Sequence, residues 1–261
     1  MRERVFVTFI RTACERQSIA LTIRSDGWLL ELEKNGLMHR ILGTIFGFNS
    51  QVACAIADDK VAASVLLSEA GITNVPHFLL KSRANSQLDE ARLRGMLNES
   101  DVVIKPLEGS HGHLVTRIKT IEDAHSIVSE SGVESWAASP FVEVDHELRL
   151  VVVDGAVHLA HTKINPVLVN GLKLFNLSAG ATASDVSLHE VPPLLARMAT
   201  DAVRVLGLRT AAVDIAVTDD GQPSVLEVNA AYSLTYYAGT NKAAYDETAL
   251  FYDSLVADLF R

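Results

Sequence analysis

Two carboxylates in the last third of the chain stand inside short apolar runs. Asp214 lies in Ala-Ala-Val-Asp-Ile-Ala-Val, and Glu227 follows in Ser-Val-Leu-Glu-Val-Asn. The stretch Thr-Asp-Asp-Gly-Gln-Pro at 218–223 indicates a hairpin turn, which predicts antiparallel strands with Asp214 opposite Glu227 or close to it. Asn229 comes two residues after Glu227 and is expected on the same face of the sheet.

Such a face offers two carboxylates and one amide oxygen. These are hard oxygen ligands of the kind that Mg²⁺ takes together with waters and phosphate oxygens. Burying a carboxylate is costly unless a cation pairs with it, so a buried position would indicate a function. The alternative is a pair of acids on an edge strand that face solvent.

A second candidate site surrounds Lys105. The apolar strand Val103-Ile104-Lys105-Pro106 is followed by a loop with glycine and serine at 109–112. Backbone N–H groups of such a loop can hold phosphates, and the lysine adds a point charge. The lysine precedes the loop and no Gly-Lys-Ser/Thr follows, so this is not a Walker A loop. The alternative is a strand-end lysine before an ordinary hairpin.

Three further segments could help to bind a phosphate-bearing ligand. Lys60 lies at the start of a helix that Asp58 is expected to cap, and taken alone it would be a surface residue. Residues 141–149 place acids between apolar strands, where backbone groups can contact an adenine edge, and the alternative is an acidic turn. Lys163 and Asn176 flank a loop that is long enough to be functional, and a basic group there could neutralise an acyl-phosphate.

Composition restricts the class of protein. The chain has 261 residues, 48% hydrophobic and 21% charged, as in an ordinary soluble globular enzyme. The net charge of -9 argues against general nucleic-acid binding and against an anionic membrane surface. Cys14 and Cys54 form no CxxC pattern, which predicts reduced thiols. The lack of a long apolar run and of a signal peptide predicts a cytoplasmic location.

Helical and strand patterns are mixed without an internal repeat, which predicts an α+β protein with more than one lobe. Residues 5–16 fit either a helix or a strand. Asn35-Gly36 predicts a hairpin, Asp154-Gly155 predicts a type I′ turn, and Thr120 with Asp123 predicts a capped helix start. The predicted strands near the site are 102–106, 141–144, 147–153 and 156–163, and the predicted helices are 58–70, 87–98, 120–129, 192–206 and 243–260.

In this order, the four segments and the carboxylate pair resemble the ATP-grasp superfamily, and most closely its ribosomal-S6-modification and glutathione-synthetase-like carboxylate–amine ligases. The resemblance runs from residue 58 to residue 240. It implies an α+β, ATP-grasp fold in which two lobes grip ATP, with the N-lobe at 58–138 and the C-lobe with the Mg²⁺ site at 139–261. Residues 1–57 would form a reduced N-terminal domain, which leaves the substrate pocket open or completed by another subunit.

The resemblance also implies which residues bind ATP. In the family, two lysines bind the phosphates, a glycine loop closes over the γ-phosphate, an interlobe segment holds adenine through its backbone, and an acid binds ribose. The matching residues are, in that order, Lys60 and Lys105; Gly109, Ser110, His111 and Gly112; Phe141 and Val142; and Glu147, with Glu143 as a second candidate.

The metal ligands and catalytic residues follow from the same resemblance. Asp214, Glu227 and Asn229 would hold two Mg²⁺ ions bridged by Glu227, with Mn²⁺ as an alternative metal. The residues expected to act on the phosphoryl group and the substrate carboxylate are Lys105, Arg149, Lys163 and Asn176. The chain departs from the family at His113, at 178–181 and at 231–233, where Ser-Ala-Gly-Ala and Ala-Tyr-Ser replace the commoner Arg-Gly-Gly and Ser-Pro-Gly.

The implied reaction has two steps. A substrate carboxylate attacks the γ-phosphate of Mg-ATP to give an acyl-phosphate and ADP, and an amine then displaces phosphate and forms an amide. The expected partners are a small carboxylate and an amine, either amino acids or peptides, with no nucleic acid and no membrane. The alternatives are a ligase that modifies a protein or peptide terminus, and a nucleotide-binding module without catalysis. The reduced front end and the apolar segment 250–252 are compatible with a homodimer.

Overall fold

The computed structural model describes residues 4–81, 88–109, 114–169 and 171–261. The N-terminal unit is a helix packed on a three-stranded antiparallel sheet: α1 Val5–Arg16, β1 Ala20–Arg24, β2 Leu29–Lys34 and β3 Leu37–Leu42. Residues 5–16 are helical, since the buried side chains Phe6, Phe9, Ile10 and Ala13 recur at helical spacing. Asn35 and Gly36 both have positive φ, which confirms the predicted turn between β2 and β3.

Two helices follow, α2 Gln51–Asp58 and α3 Lys60–Glu69. The prediction that Asp58 caps the second helix is wrong. Asp59 is the N-cap, and its carboxylate accepts from the amides of Val61 and Ala62 at 2.9 Å. Asp58 instead ends α2, because the extended backbone of Asp59 separates the two helices. Lys60 is therefore the first residue of α3.

The next unit is a four-stranded antiparallel sheet with two helices: β4 Phe78–Lys81, α4 Glu90–Glu99, β5 Val102–Pro106, β6 Thr116–Ile118, α5 Ile121–Glu130 and β7 Trp136–Pro140. The strand order is β4-β7-β5-β6. Thr120 and Asp123 form the predicted capping box at the start of α5. The sequence does not predict β7, because Trp-Ala-Ala-Ser-Pro has little β propensity, and its place between β4 and β5 decides its conformation.

The last unit is a five-stranded antiparallel sheet: β8 His146–Val153, β9 Ala156–Ile164, β12 Thr182–Asp185, β13 Thr210–Val217 and β14 Pro223–Asn229. The hairpin of β10 Val167–Val169 and β11 Leu172–Leu174 is inserted between β9 and β12. The strand order is β12-β9-β8-β13-β14. Helix α6 Pro193–Val205 covers one face, the short helix α7 Thr235–Ala238 follows β14, and α8 Lys242–Asp258 packs with α1 against the other face.

The chain crosses between these two sheets at residues 141–144, for which the predicted strand is wrong. This segment runs from β7 in one sheet to β8 in the other, so its backbone follows neither ladder. The amide of Phe141 donates to the carbonyl of Asp101 at 2.8 Å, and the guanidinium carbon of Arg117 lies 3.6 Å from the centroid of its ring. Within the described ranges, none of the helices is long and apolar enough to span a bilayer.

Candidate active site

One face of the five-stranded sheet changes from apolar to charged along its strands. Every second residue of a strand points to the same face. On β8, Val153 and Val151 lie in the apolar core against α1 and α8, and Arg149 and Glu147 continue the same face beyond that core. At one end this face of the sheet therefore packs in the apolar core, and at the other end it carries charged side chains.

Strand register aligns the charged side chains in one row. Asp214 lies opposite Glu227 on β14 and opposite Arg149 on β8, and Arg149 lies opposite His161 on β9. The predicted pairing of Asp214 with Glu227 across the hairpin is thus confirmed. A register shift follows Asp214, between it and Ile215, and such irregularities commonly redirect side chains next to functional sites.

Asp214 is the centre of a buried ion-pair cluster. Arg149 donates to both of its oxygens, from Nε at 2.7 Å and from Nη2 at 2.6 Å, and Lys163 Nζ lies 2.9 Å from Oδ1. Lys163 also donates to Glu147 at 2.8 Å. Burial by itself would raise the pKa of Asp214, but Arg149 and Lys163 hold it well below its usual range. Burial raises the pKa of Glu147, and Lys163 opposes that shift.

The other two predicted metal ligands border this cluster. Asn229 Nδ2 donates to Asp214 Oδ2 at 3.3 Å, and the half-buried Glu227 carboxylate lies 3.9 Å from Lys60 Nζ. The described residues contain no group of three or more His, Cys, Asp or Glu side chains that could hold a metal ion. The predicted set of two carboxylates and one amide oxygen is smaller than such a group, and its oxygens are the kind that suit Mg²⁺.

Lys105 supplies a cation that has no ion-pair partner in the described part of the chain. Its ammonium has no hydrogen-bond or ion-pair partner among the described residues, and burial lowers its pKa to about 8 although Glu227 opposes that shift. Lys60 Nζ, at the start of α3, donates to the carbonyls of Leu107 and Gly109 at 3.2 Å each. Keeping a charge away from water without a close partner is costly, so Lys105 indicates a place for an anionic ligand. Lys60 is held by two carbonyls and lies 3.9 Å from Glu227, and it adds positive charge to the same place.

A single cavity of about 780 Å³ joins these groups, which is within the usual size range of ligand pockets. Every predicted site residue that the structure describes contributes to its wall: Lys60, Lys105, Gly109, Phe141, Val142, Glu143, Glu147, Arg149, Lys163, Asn176, Asp214, Glu227 and Asn229. Ser110, His111 and Gly112 lie outside the described residues. The structure thus brings the separate motifs to one place, while the role of each residue stays a prediction.

The segment expected to hold adenine offers fewer free groups than predicted. The amide of Phe141 is already bonded to Asp101, whereas no acceptor for the amide of Val142 lies among the described residues. Glu143, the second ribose candidate, pairs with Lys173 at 2.6 Å, and Lys173 also donates to the carbonyl of Val144 at 3.0 Å. These contacts attach the β10–β11 hairpin to the crossover segment.

Sequence reasoning missed part of the cavity wall. Arg4, Phe6 and Trp28 reach the wall from the N-terminal unit, Leu168 from the β10–β11 hairpin, and Tyr236 from α7. None of them lies in a chemical motif. Trp28 carries the one usable signal, since a large aromatic residue in a turn region often serves a contact.

A protein-family model matches most of the chain. Residues 55–248 match the ATP-grasp domain, R2K clade family 3. A curated relative named "Probable alpha-L-glutamate ligase" from Shewanella halifaxensis (strain HAW-EB4) is 28% identical over 194 residues, which cover 73% of this chain and 40% of the relative. The chain therefore spans less than half the length of that protein.

Solved structures share the fold at lower identity. D-alanine–D-alanine ligase from Bacillus anthracis matches with a TM-score of 0.61 and 16% identity, covering 80% of this chain and 68% of that one. The macrocyclase MdnC bound with precursor peptide MdnA from Microcystis aeruginosa MRC matches with a TM-score of 0.64 and 11% identity, covering 99% and 97%. The predicted α+β class and ATP-grasp fold are confirmed, and the chain belongs to the ATP-grasp domain family of the R2K clade, family 3.

Proposed function

We propose that the chain is an ATP-dependent carboxylate–amine ligase that forms an amide and releases ADP and phosphate. Membership of the ATP-grasp family and the ligase names of its relative and its structural neighbours support this class. The observation that carries the proposal is Lys105. Its partly buried ammonium lacks an ion-pair partner among the described residues and lines the same cavity as the predicted oxygen ligands Asp214 and Glu227.

A nucleoside triphosphate suits the charges of this cavity. Lys105 and Lys60 would bind phosphate oxygens, since one has no described partner and the other donates only to carbonyls and lies 3.9 Å from Glu227. The amide of Val142, for which the described residues offer no acceptor, would bind the base edge.

Asp214, Glu227 and Asn229 would hold Mg²⁺, as two ions, or Mn²⁺ in their place. When bound, the metal neutralises charge on the phosphate oxygens. Glu227 suits this task best, because its carboxylate is only half-buried and its nearest cation is 3.9 Å away. The oxygens of Asp214 already accept from Arg149 and Lys163, so Asp214 would share its charge between protein and metal.

The chemical difficulty is the approach of two anions. A carboxylate oxygen forms a bond to the γ-phosphorus while the bond to ADP breaks. The amine then attacks the acyl carbon, phosphate leaves, and the amine gives up a proton. Arg149 and Lys163 would stabilise the charge of both steps without reorganisation, because Asp214 and Glu147 hold them in position. Asn176, on the same wall, would orient the substrate carboxylate.

A turnover assay tests the proposal. The protein is incubated with Mg-ATP and pooled amino acids, and the nucleotide and phosphate products are identified. Amino-acid-dependent ADP and phosphate support the ligase. AMP and pyrophosphate would indicate adenylation and contradict the proposal, and ATP binding without turnover would support a nucleotide-binding module instead.

A peptide or protein terminus is the second candidate for the carboxylate or the amine. The observation in its favour is the structural match to MdnC, which was solved bound with a precursor peptide. The match covers 99% of this chain and 97% of MdnC. The same assay with pooled short peptides distinguishes the two. Phosphate release with peptides and none with free amino acids would favour the terminus-modifying ligase.

The lobes that would grip ATP are 58–138 and 139–261, after an N-terminal region at 1–57. Helix α3, although it begins the first of these ranges, packs in one apolar core with α6 on the five-stranded sheet. The amide of Val75 also donates to the carbonyl of Val225 on β14 at 3.0 Å. Lys60 would therefore move with the C-lobe when the lobes close. The homodimer and the cytoplasmic location stay predictions.

A further inference from the structure

Trp28 is held where its indole remains uncovered at the cavity. Its side chain is 46% exposed, although tryptophan is highly buried on average. The ring lies against Gly43, where an added Cβ would come within 2.7 Å of two ring carbons, so this close contact requires glycine. The guanidinium carbon of Arg4 lies 5.1 Å from the ring centroid. The ring is thus positioned by its neighbours without being buried by them.

Arg4 is the one charged residue that the described N-terminal unit places on the cavity wall. Its Nε donates to the carbonyl of Asp26 at 3.4 Å, which is a long hydrogen bond. No carboxylate of the described residues pairs with it. As far as the described residues go, the rest of its guanidinium is therefore available to an anionic group in the cavity.

A second part of the wall starts at the predicted metal ligand Asn229. The chain continues from there along the cavity through Ala231, Tyr232 and Ser233 to Tyr236. Tyr232 is buried in one apolar core with Phe6 of α1, so this segment and the N-terminal unit are in contact. Tyr236 is 57% exposed.

Exposed apolar side chains gather at this cavity. Trp28, Tyr236 and Leu168 come from three different parts of the chain, all are more than a third exposed, and all line the same cavity. An isolated exposed apolar residue needs no explanation, but a group of them around one concave site indicates a ligand with apolar surface.

We propose that this part of the cavity is a subsite for an α-amino acid with a large apolar side chain. The side chain packs against Trp28 and Tyr236, and Arg4 pairs with the carboxylate that does not react. The inference rests on the proposed ligase function, since it makes this amino acid the amine substrate. Its amine then points along the segment that leads to Asn229 and the ion-pair cluster.

Chemistry favours this occupant over a charged or amide side chain. Apart from Arg4, the described wall of the N-terminal unit consists of Val5, Phe6, Trp28 and Thr44. An acidic side chain such as that of glutamate would compete with the α-carboxylate for the single guanidinium. An amide group would lose its hydration against aromatic rings, and an ammonium side chain would be repelled by the Arg4 guanidinium.

Tryptophan fluorescence reports occupancy directly. The chain has two tryptophans, and Trp136 is fully buried in the core of the four-stranded unit, so only Trp28 can meet a ligand. Titration with L-leucine or L-methionine, in the presence of Mg²⁺ and a non-hydrolysable ATP analogue, should give a saturable change that Trp28→Phe removes. Isoamylamine, which lacks the carboxylate of leucine, should bind about tenfold more weakly, and Arg4→Gln should abolish that difference.

Kinetics provide the second measurement. Trp28→Ala and Tyr236→Ala should each raise KM for L-leucine about tenfold while KM for ATP stays unchanged. Leu37→Ala is the matched control, because Leu37 is an exposed apolar residue of β3 outside the cavity wall. Thermal melts check that each variant folds. If Trp28→Ala does not fold, the single variants Arg4→Gln and Tyr236→Ala still test the subsite.

These outcomes show whether the subsite proposal or the ligase proposal has failed. Phosphate release with L-glutamate or L-lysine that Trp28→Ala leaves unchanged overturns the subsite and keeps the ligase. Equal binding of L-leucine and L-glutamine also overturns the subsite. A saturable Trp28 signal with L-leucine but no amino-acid-dependent phosphate release supports the subsite and overturns the ligase.

Discussion

The two sheets that meet at the cavity present charge in opposite ways. On the five-stranded sheet, Asp214 accepts from Arg149 and Lys163 at 2.6–2.9 Å, and Lys163 also serves Glu147. On the four-stranded sheet, the ammonium of Lys105 is partly buried and has no ion-pair partner among the described residues. One side is a closed cluster of Arg149, Lys163, Asp214 and Glu147, in which each charge has an opposite charge as its partner. The other side is Lys105, a cation that has no ion-pair partner among the described residues.

The difference teaches what each side is built to do. A cluster in which two cations balance two carboxylates keeps its geometry before any ligand arrives, because each charge is held by another. An uncompensated cation keeps its full attraction for an incoming anion, and its cost is visible in the lowered pKa of Lys105. The ion-pair cluster is suited to hold its side chains in position, and Lys105 is suited to attract an anionic ligand.

Lys105→Ala should have the largest effect on activity. Removal of the recruiting cation is expected to lower turnover by about 10³-fold or more and to weaken ATP binding. Phosphate release and nucleotide titration measure both effects. Lys119→Ala removes an exposed lysine of the same unit and should change neither. Near-native turnover of Lys105→Ala would reject the phosphate role of this residue.

Lys105 should also make nucleotide binding and stability depend on pH. Burial lowers the pKa of Lys105 in the folded protein to about 8, from the usual lysine value of 10.5. Nucleotide affinity should therefore fall as the pH rises through about 8, where the ammonium loses its proton. Between these two pKa values the unfolded chain binds more protons, so the unfolding free energy should rise with pH, and Lys105→Met should remove this slope.

Asp214→Asn should open the closed cluster and destabilise the fold. It leaves Arg149 and Lys163 with only Glu147, and removing one partner of a buried ion pair costs about 3–5 kcal/mol. Because the pKa of Asp214 is held below its usual range, its stabilisation is lost only at acid pH and is fully present at neutral pH. Denaturant unfolding at neutral pH measures the loss.

The matched control is Asp154→Asn. Asp154 accepts two hydrogen bonds of 2.8 Å from Arg209, as Asp214 does from Arg149, but this pair is exposed. Exposed pairs contribute about 0–1 kcal/mol, so the control should lose far less stability. Equal losses for the two variants would mean that the buried cluster has no special importance for the fold.

Glu227→Gln should separate metal binding from stability. Glu227 belongs to neither the closed cluster nor the core, so its loss should lower turnover about 10²-fold and raise the Mg²⁺ concentration needed. The unfolding free energy should change by no more than about 0.5 kcal/mol. Activity measured across a Mg²⁺ series checks the first expectation, with the exposed Glu69→Gln as control. Wild-type Mg²⁺ dependence would exclude Glu227 as a ligand.

His161→Phe should have the smallest effect, and it should be stabilising. His161 is buried next to the cluster, stacks on Tyr237 with 4.3 Å between ring centroids, and has no hydrogen-bond partner for either ring nitrogen in the described structure. Phenylalanine keeps the stacking and removes two unsatisfied polar atoms, which should add about 1 kcal/mol to the unfolding free energy. Denaturant unfolding measures the gain, and a loss of stability would contradict it.

The same substitution should reduce sensitivity to acid. Burial, with a smaller contribution from Arg149, lowers the pKa of His161 to about 3 from 6.5. Between these values the unfolded chain binds more protons, so stability falls as the pH drops, by about 1.4 kcal/mol per pH unit for one histidine. His77, with a pKa of about 2, adds a similar slope. His158→Phe, at an exposed histidine of β9, is the matched control substitution.

Local chemistry made several elements predictable. The turns at Asn35-Gly36 and Asp154-Gly155 and the cap of α5 depend on residues that are adjacent in sequence, and all three have the predicted form. The opposition of Asp214 and Glu227 also follows from a short hairpin. The crossover at 141–144 and strand β7 were mispredicted or missed, because their conformation depends on which sheet lies on either side.

The sequence by itself determined which groups exist and how near neighbours pair: a carboxylate facing a carboxylate across a hairpin, a lysine near the end of a strand, and the order of motifs that marks the ATP-grasp family. Only the tertiary structure decided the partners of those groups, such as Arg149 and Lys163 on Asp214, and the reach of Trp28 and Arg4 to the cavity. The physical reason is distance along the chain. Turns and caps depend on the rotation of a few bonds, whereas ion pairs and cavity walls depend on how whole sheets and helices bury their apolar faces.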